Sequence, residues 1–133
     1  MTITTVRDRS GPMRQHIHVR DHVLVADEPV ANGGEDAGPD PHDLYDAALG
    51  ACKALTTLWY ARRNGIPVED MTVVVERDNT EERTGTYRLR TLLSVTGDLS
   101  ESDRERLLAV ASKCPLHKLM TQVKTDVETA WAE

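Results

Sequence analysis

Phenylalanine is absent, and aromatic residues together make up 4% of the 133-residue chain. A core with so little aromatic bulk must be filled by aliphatic side chains, and an interface between copies can add burial that one chain lacks. Cysteine is scarce as well, with Cys52 and Cys114 the only two. No apolar run approaches the roughly 18 residues of a membrane span. Met1 to Arg14 is polar and carries no apolar core of the signal-peptide kind. A cytoplasmic location is therefore expected, and in a reducing compartment a cysteine pair does not read as a structural staple. Basic excess is missing too. The net charge is −6, which disfavours the phosphate neutralisation behind nonspecific nucleic-acid binding. Neither nucleic acid nor membrane is an expected partner. The chain has no G-x-S-x-G, no Walker loop and no Rossmann glycine pattern. Its carboxylates are scattered, and Glu101, Asp103 and Glu105 read as helix-surface charges.

What is present organises into one expected domain, 1–133, of the α+β class. Ile17, Val19, Val23 and Val25 alternate with polar neighbours, which predicts a hairpin or bent strand turning near Arg20-Asp21. A Gly-, Pro- and Asp-rich loop follows. Asp40 can cap a helix whose first residue is Pro41, and Asp43 suits its positive end. The helix is expected to reach about Asn64 and to stop at Gly65. Leu44, Ala48, Ala51, Leu55, Leu58 and Trp59 mark its buried stripe. Met71–Glu76 and Tyr87–Val95 read as an antiparallel hairpin. Ser100 and Asp103 start a second helix that runs to about Cys114, where Pro115 interrupts it. A last strand is expected over about Gln122–Trp131. The antiparallel sheet would carry helices in the order ββ-α-ββ-α-β.

The cysteines are the residues with chemistry to offer. Cys52 falls at the edge of the helical apolar stripe. It suits a small buried hydrophobe and equally a nucleophile, which must be a thiolate held by a nearby cation. The helix dipole gives little help three turns in. Lys53 is the nearest cation in sequence and is expected on the solvated side. Cys114 suits core packing or capture of an oxidised partner as a disulfide. The spacing of Cys114 and His117, with His16, His18 and His22 as further nitrogens, leaves a metal reading open, although half of a zinc pair is missing.

Gly38–Thr56, "GPDPHDLYDAALGACKALT", resembles the first-cysteine helix of the OsmC/Ohr family, and Lys113–Thr121, "KCPLHKLMT", resembles its second-cysteine segment. The approach "HVLVADEP" and the element order are similar along almost the whole chain. The resemblance implies an OsmC-like fold: an antiparallel sheet, a long buried central helix, a second cysteine-bearing helix and an intertwined homodimer. It implies thiol-dependent reduction of organic hydroperoxides, and to some extent hydrogen peroxide, in oxidative-stress defence. Cys52 would be the peroxidatic cysteine and Cys114 the resolving one. No flavin, haem or metal is implied, and electrons would come from a dithiol or a lipoylated protein. An Arg of the N-terminal strands would serve the reactive sulfur, with Arg20 the first choice and Arg14 the second. Leu55 and Trp59 at a dimer seam would favour a substrate with an organic tail.

One position departs from the family pattern. Better-known hydroperoxidases carry a Glu ten residues before the first cysteine, where it pairs with the Arg, and this chain has His42. A neutral His holds an Arg less firmly than a carboxylate does. Ten helical residues also span ~15 Å, so one straight helix could not bring both groups to a single site within one subunit. The departure keeps a second function in view: a redox-responsive or small-molecule-binding protein with negligible turnover.

Overall fold

The structure, a computed structural model, describes residues 1–132. The chain divides into two compact units, Met1–Ala47 and Ala48–Glu133.

The first unit opens with three short strands, β1 (Ile3–Arg7), β2 (Gln15–Val19) and β3 (His22–Ala26). They form an antiparallel sheet in the order β1-β2-β3. Val19 pairs with His22, which leaves Arg20 and Asp21 as a two-residue turn where the alternation predicted one. Arg20 takes a positive φ of 52° there, the left-handed geometry that tight hairpins require. β1 was not expected. All five of its residues are exposed, so backbone pairing with β2 forms it rather than burial of a face.

The loop after β3 is organised by the Asp27 carboxylate, which is 4% exposed. It accepts hydrogen bonds from the backbone N–H of Glu28 at 2.8 Å, Glu35 at 3.2 Å and Ala37 at 3.1 Å. These donors, Ala37 foremost, hold its pKa below the ordinary carboxylate value against the opposing effect of burial. The backbone passes so close to itself here that a Cβ on Gly34 would collide with the Glu28 carbonyl. One on Gly38 would collide with that of Val25.

α1 (Pro41–Arg63) begins as its sequence signals predicted. The Asp43 N–H donates to Asp40 Oδ1 at 2.8 Å, and the Asp40 N–H donates to Asp43 Oδ2 at 3.1 Å, a reciprocal cap. Beyond its end Gly65 takes φ 63°. The expected stripe, however, is on the wrong side. The residues buried along α1 are Asp46, Leu49, Gly50, Lys53, Thr57 and Ala61, while Leu55, Leu58 and Trp59 are 68%, 43% and 59% exposed. Small and polar side chains let the helix lie close to its neighbours within the second unit. A Cβ on Gly50 would already meet Val75 Cγ2 at 3.0 Å.

In that unit β4 (Val68–Asp78) and β5 (Arg88–Gly97) form the predicted antiparallel hairpin; β4 is longer than expected at both ends and β5 at its C-terminal end. Met71, Val73 and Val75 pair with Val95, Leu93 and Thr91, all six half-buried. α2 (Glu101–Ala111) starts at a capping box made by Ser100 and Asp103. Ala61 of α1, Ile66 and Leu107 of α2 form the core cluster, with Tyr60, Val68, Val95 and Leu99 packed around it.

Two expectations for the C-terminal third are corrected. α2 ends at Ala111, and Pro115 opens a further helix, α3 (Pro115–Thr121), rather than merely breaking one. Proline suits the first helical position and drives the preceding residue to an extended conformation, as Cys114 shows with φ −61° and ψ 149°. The expected strand over 122–131 does not form. Those residues are exposed and outside any regular element. Among the described residues no helix is long and apolar enough to cross a membrane.

Candidate functional site

Cys52 sits midway along α1, partly buried, with Sγ 3.9 Å from Thr56 Oγ1 one turn on. Cys114 is fully buried and occupies the cap position between α2 and α3. Its thiol makes no capping bond to the helix it precedes. Neither cysteine is in a disulfide.

The link between their two segments came from a residue assigned to solvent. Lys53 is 2% exposed. Its Nζ donates to the Ala111 carbonyl at 2.9 Å and lies 3.0 Å from His117 Nδ1. The turn of α1 that carries Cys52 is thus bonded on both sides of Cys114. Thr57 is also fully buried, and its hydroxyl donates to the Lys53 carbonyl at 2.7 Å. A sequence signal existed: Leu49, Lys53, Thr57 and Ala61 recur every four residues. Apolarity alone hides that stripe, because a lysine and a threonine interrupt it.

Arg20 is exposed at the β2–β3 turn of the first unit. Arg14, the second choice, is engaged within that unit. Its Nη2 lies 3.5 Å from Glu35 Oε1, and its Nη1 donates to Ser10 Oγ at 3.4 Å. His42 stands exposed in the first turn of α1. Among the described residues no three His, Cys, Asp or Glu side chains are grouped as a metal site would need. His117, which the metal reading would have used, has its Nδ1 against Lys53.

A long helix carrying one cysteine, a helical junction carrying a second and antiparallel sheets define an α+β protein with a two-thiol architecture. The sequence profile of the family described as OsmC-like protein matches residues 33–129, and the chain belongs to that family. Solved structures agree on the fold. One is a protein of Psychrobacter arcticus described as osmotic-stress-induced and of the detoxification response. It is 20% identical at a TM-score of 0.76, with 92% of this chain and 89% of that one covered. The organic hydroperoxide resistance protein OsmC of Legionella pneumophila is 25% identical at a TM-score of 0.63, with 91% and 88% covered. The organic hydroperoxide resistance protein OhrB of Bacillus subtilis is 23% identical at a TM-score of 0.58, with 91% and 90% covered. No curated protein matches the chain by sequence.

Proposed function

We propose that this chain is a cysteine-based peroxidase that reduces organic hydroperoxides, working as a single OsmC-like domain within an intertwined homodimer in the cytoplasm. The observation that carries the reading is the bonding of the Cys52 turn to both flanks of Cys114 through Lys53. Two free thiols on segments tied together in this way suit a pair that alternates between dithiol and disulfide. Resistance to organic hydroperoxides in the Legionella and Bacillus relatives supports the substrate class.

In this mechanism Cys52 is the thiolate, with Arg20 as its cation, the N-terminal-strand Arg that the family resemblance implies. The sulfur attacks one peroxide oxygen, the O–O bond breaks, and the departing alkoxide takes a proton to leave as alcohol. Cys52 becomes a sulfenic acid. The Cys114 sulfur then attacks the Cys52 sulfur, and hydroxide leaves with the thiol proton as water. A dithiol or a lipoylated protein reduces the disulfide by exchange. The exposed Leu55, Leu58 and Trp59 face supports the dimer, because an apolar stripe of this kind on one helix is what a second copy would cover. The same residues would receive an organic tail.

The test uses purified reduced protein, cumene hydroperoxide, and either dithiothreitol or dihydrolipoamide. Wild type should turn over repeatedly. Cys52→Ser should consume no peroxide, and Cys114→Ser, mixed with peroxide in the absence of dithiol, should complete one oxidation and stop at sulfenic acid. Stoichiometric oxidation without turnover in wild type would instead favour the redox-responsive reading, which His42 in place of the family's usual Glu motivates.

A further inference from the structure

A lysine buried to 2% exposure is an expensive way to fill space. Its stem loses rotamer freedom and its ammonium loses water, costs that a methionine of similar shape would avoid. Its contacts indicate what it does that methionine cannot. Ala111 is the last residue of α2, where a terminal carbonyl has no partner within the helix. Lys53 Nζ supplies that partner at 2.9 Å and places positive charge at the negative end of the helix. An ammonium has three donors and no acceptor. Where it meets His117 Nδ1 at 3.0 Å the imidazole must therefore accept, which leaves its proton on Nε2.

The two anchor points lie three residues before Cys114 and three residues after it. Between them are the end of α2, the turn at Ser112 and Lys113, and the start of α3. Of these only Ala111 and Cys114 are buried, so little apolar packing fixes the junction. The lysine bonds act at both of its ends, and they run from the residue next to Cys52.

We infer that Lys53, through the Ala111 carbonyl and His117 Nδ1, is a positioning residue for disulfide closure. It holds the Cys114 junction against α1 so that the Cys114 sulfur reaches the Cys52 sulfenic acid. The inference rests on the peroxidatic and resolving roles proposed above. The step it governs forms the S–S bond, breaks the Cys52 S–O bond and releases water. It leaves the earlier attack on peroxide to groups around Cys52.

The experiment is a single turnover of the reduced full chain with cumene hydroperoxide, followed by rapid quench and thiol alkylation. Mass spectrometry then separates sulfenic acid from disulfide. In Lys53→Met the peroxide-dependent phase should keep its second-order rate constant, while the first-order closure slows by about tenfold or more, as misplacement of reacting groups does. His117→Ala should slow closure in the same way. His117→Asn should recover most of the rate, because its carbonyl oxygen can stand where Nδ1 stood. Closure at the wild-type rate in Lys53→Met overturns the inference, as does equal slowing of both phases. If Lys53→Met does not fold by circular dichroism, His117→Ala decides in its place, and unchanged closure there overturns the inference. A wild type that accumulates sulfenic acid but never a disulfide removes the reading of Cys114 beneath it. Normal closure in wild type and both variants removes the role of Lys53 alone.

Discussion

Leu55 offers the sharpest test of the dimer. It lies three residues beyond Cys52 on α1, and 68% of it is exposed in one chain. Fully burying a leucine side chain is worth about 1.5–3 kcal/mol, so covering the part still in water is worth about 1–2 kcal/mol. A two-fold interface uses the same residue from both copies, which doubles the gain to about 2–4 kcal/mol. Leu55→Glu forfeits that and adds a carboxylate that resists leaving water. The dissociation constant should rise roughly 30- to 700-fold on the burial loss alone. Sedimentation equilibrium over a dilution series measures it. Circular dichroism should show the fold intact, since Leu55 contributes nothing to the core cluster of Ala61, Ile66 and Leu107. Two results would refute the reasoning: a wild type that is monomeric at micromolar concentration, or a folded Leu55→Glu protein that dimerises as tightly as wild type.

Two further outcomes follow from the first unit. Arg20→Met should move the alkylation of Cys52 by iodoacetamide to higher pH, read in a Cys114→Ser background. It should also slow reaction with peroxide by roughly 10- to 150-fold, the equivalent of one charged hydrogen bond; an unchanged profile would transfer the role to Arg14. Asp27 has a folded-state pKa lowered beneath its ordinary 3.8, chiefly by the Ala37 N–H. The stability it contributes is therefore present above 3.8 and is lost as pH falls through the lower folded value. Asp27→Asn should flatten that acid limb in denaturant titrations run from neutral pH to about 3, and an identical acid limb in both proteins would show that the carboxylate contributes nothing there.

What could be read from the sequence was what neighbours in sequence decide. Asp40 and Asp43, Ser100 and Asp103, and the turn at Arg20-Asp21 are local chemistry, and each formed as its residues predicted. The family was legible in the two cysteine segments by pattern, although the helix expected to reach Cys114 stops at Ala111. Burial is not local. The apolar stripe expected to be buried on α1 is largely exposed among the described residues, with Leu55, Leu58 and Trp59 in water, because apolarity in a sequence does not say which surface will cover it. Lys53 was misplaced for the complementary reason. Its partners are 58 and 64 residues away, and only the fold brings an orphan carbonyl and an imidazole to meet it. The strand errors share a cause. β1 exists because β2 pairs with it, while 122–131 forms no regular element among the described residues, so alternation of side chains decided neither case.

The loop between β3 and α1 has an unequal tolerance for engineering. Its surface position suggests a place to install a tag or a fluorescent reporter, and Val30, 71% exposed on a single 3₁₀ turn, would accept one. A few residues on, the same loop closes to such cargo. At Gly34 and Gly38 even a methyl group meets backbone carbonyls, those of Glu28 and Val25; Glu28 is held by the Asp27 carboxylate and Val25 by the β2–β3 pairing. A reporter inserted over 30–32 would thus leave the loop's anchoring intact, whereas a library randomised across 34–38 would return mostly misfolded clones.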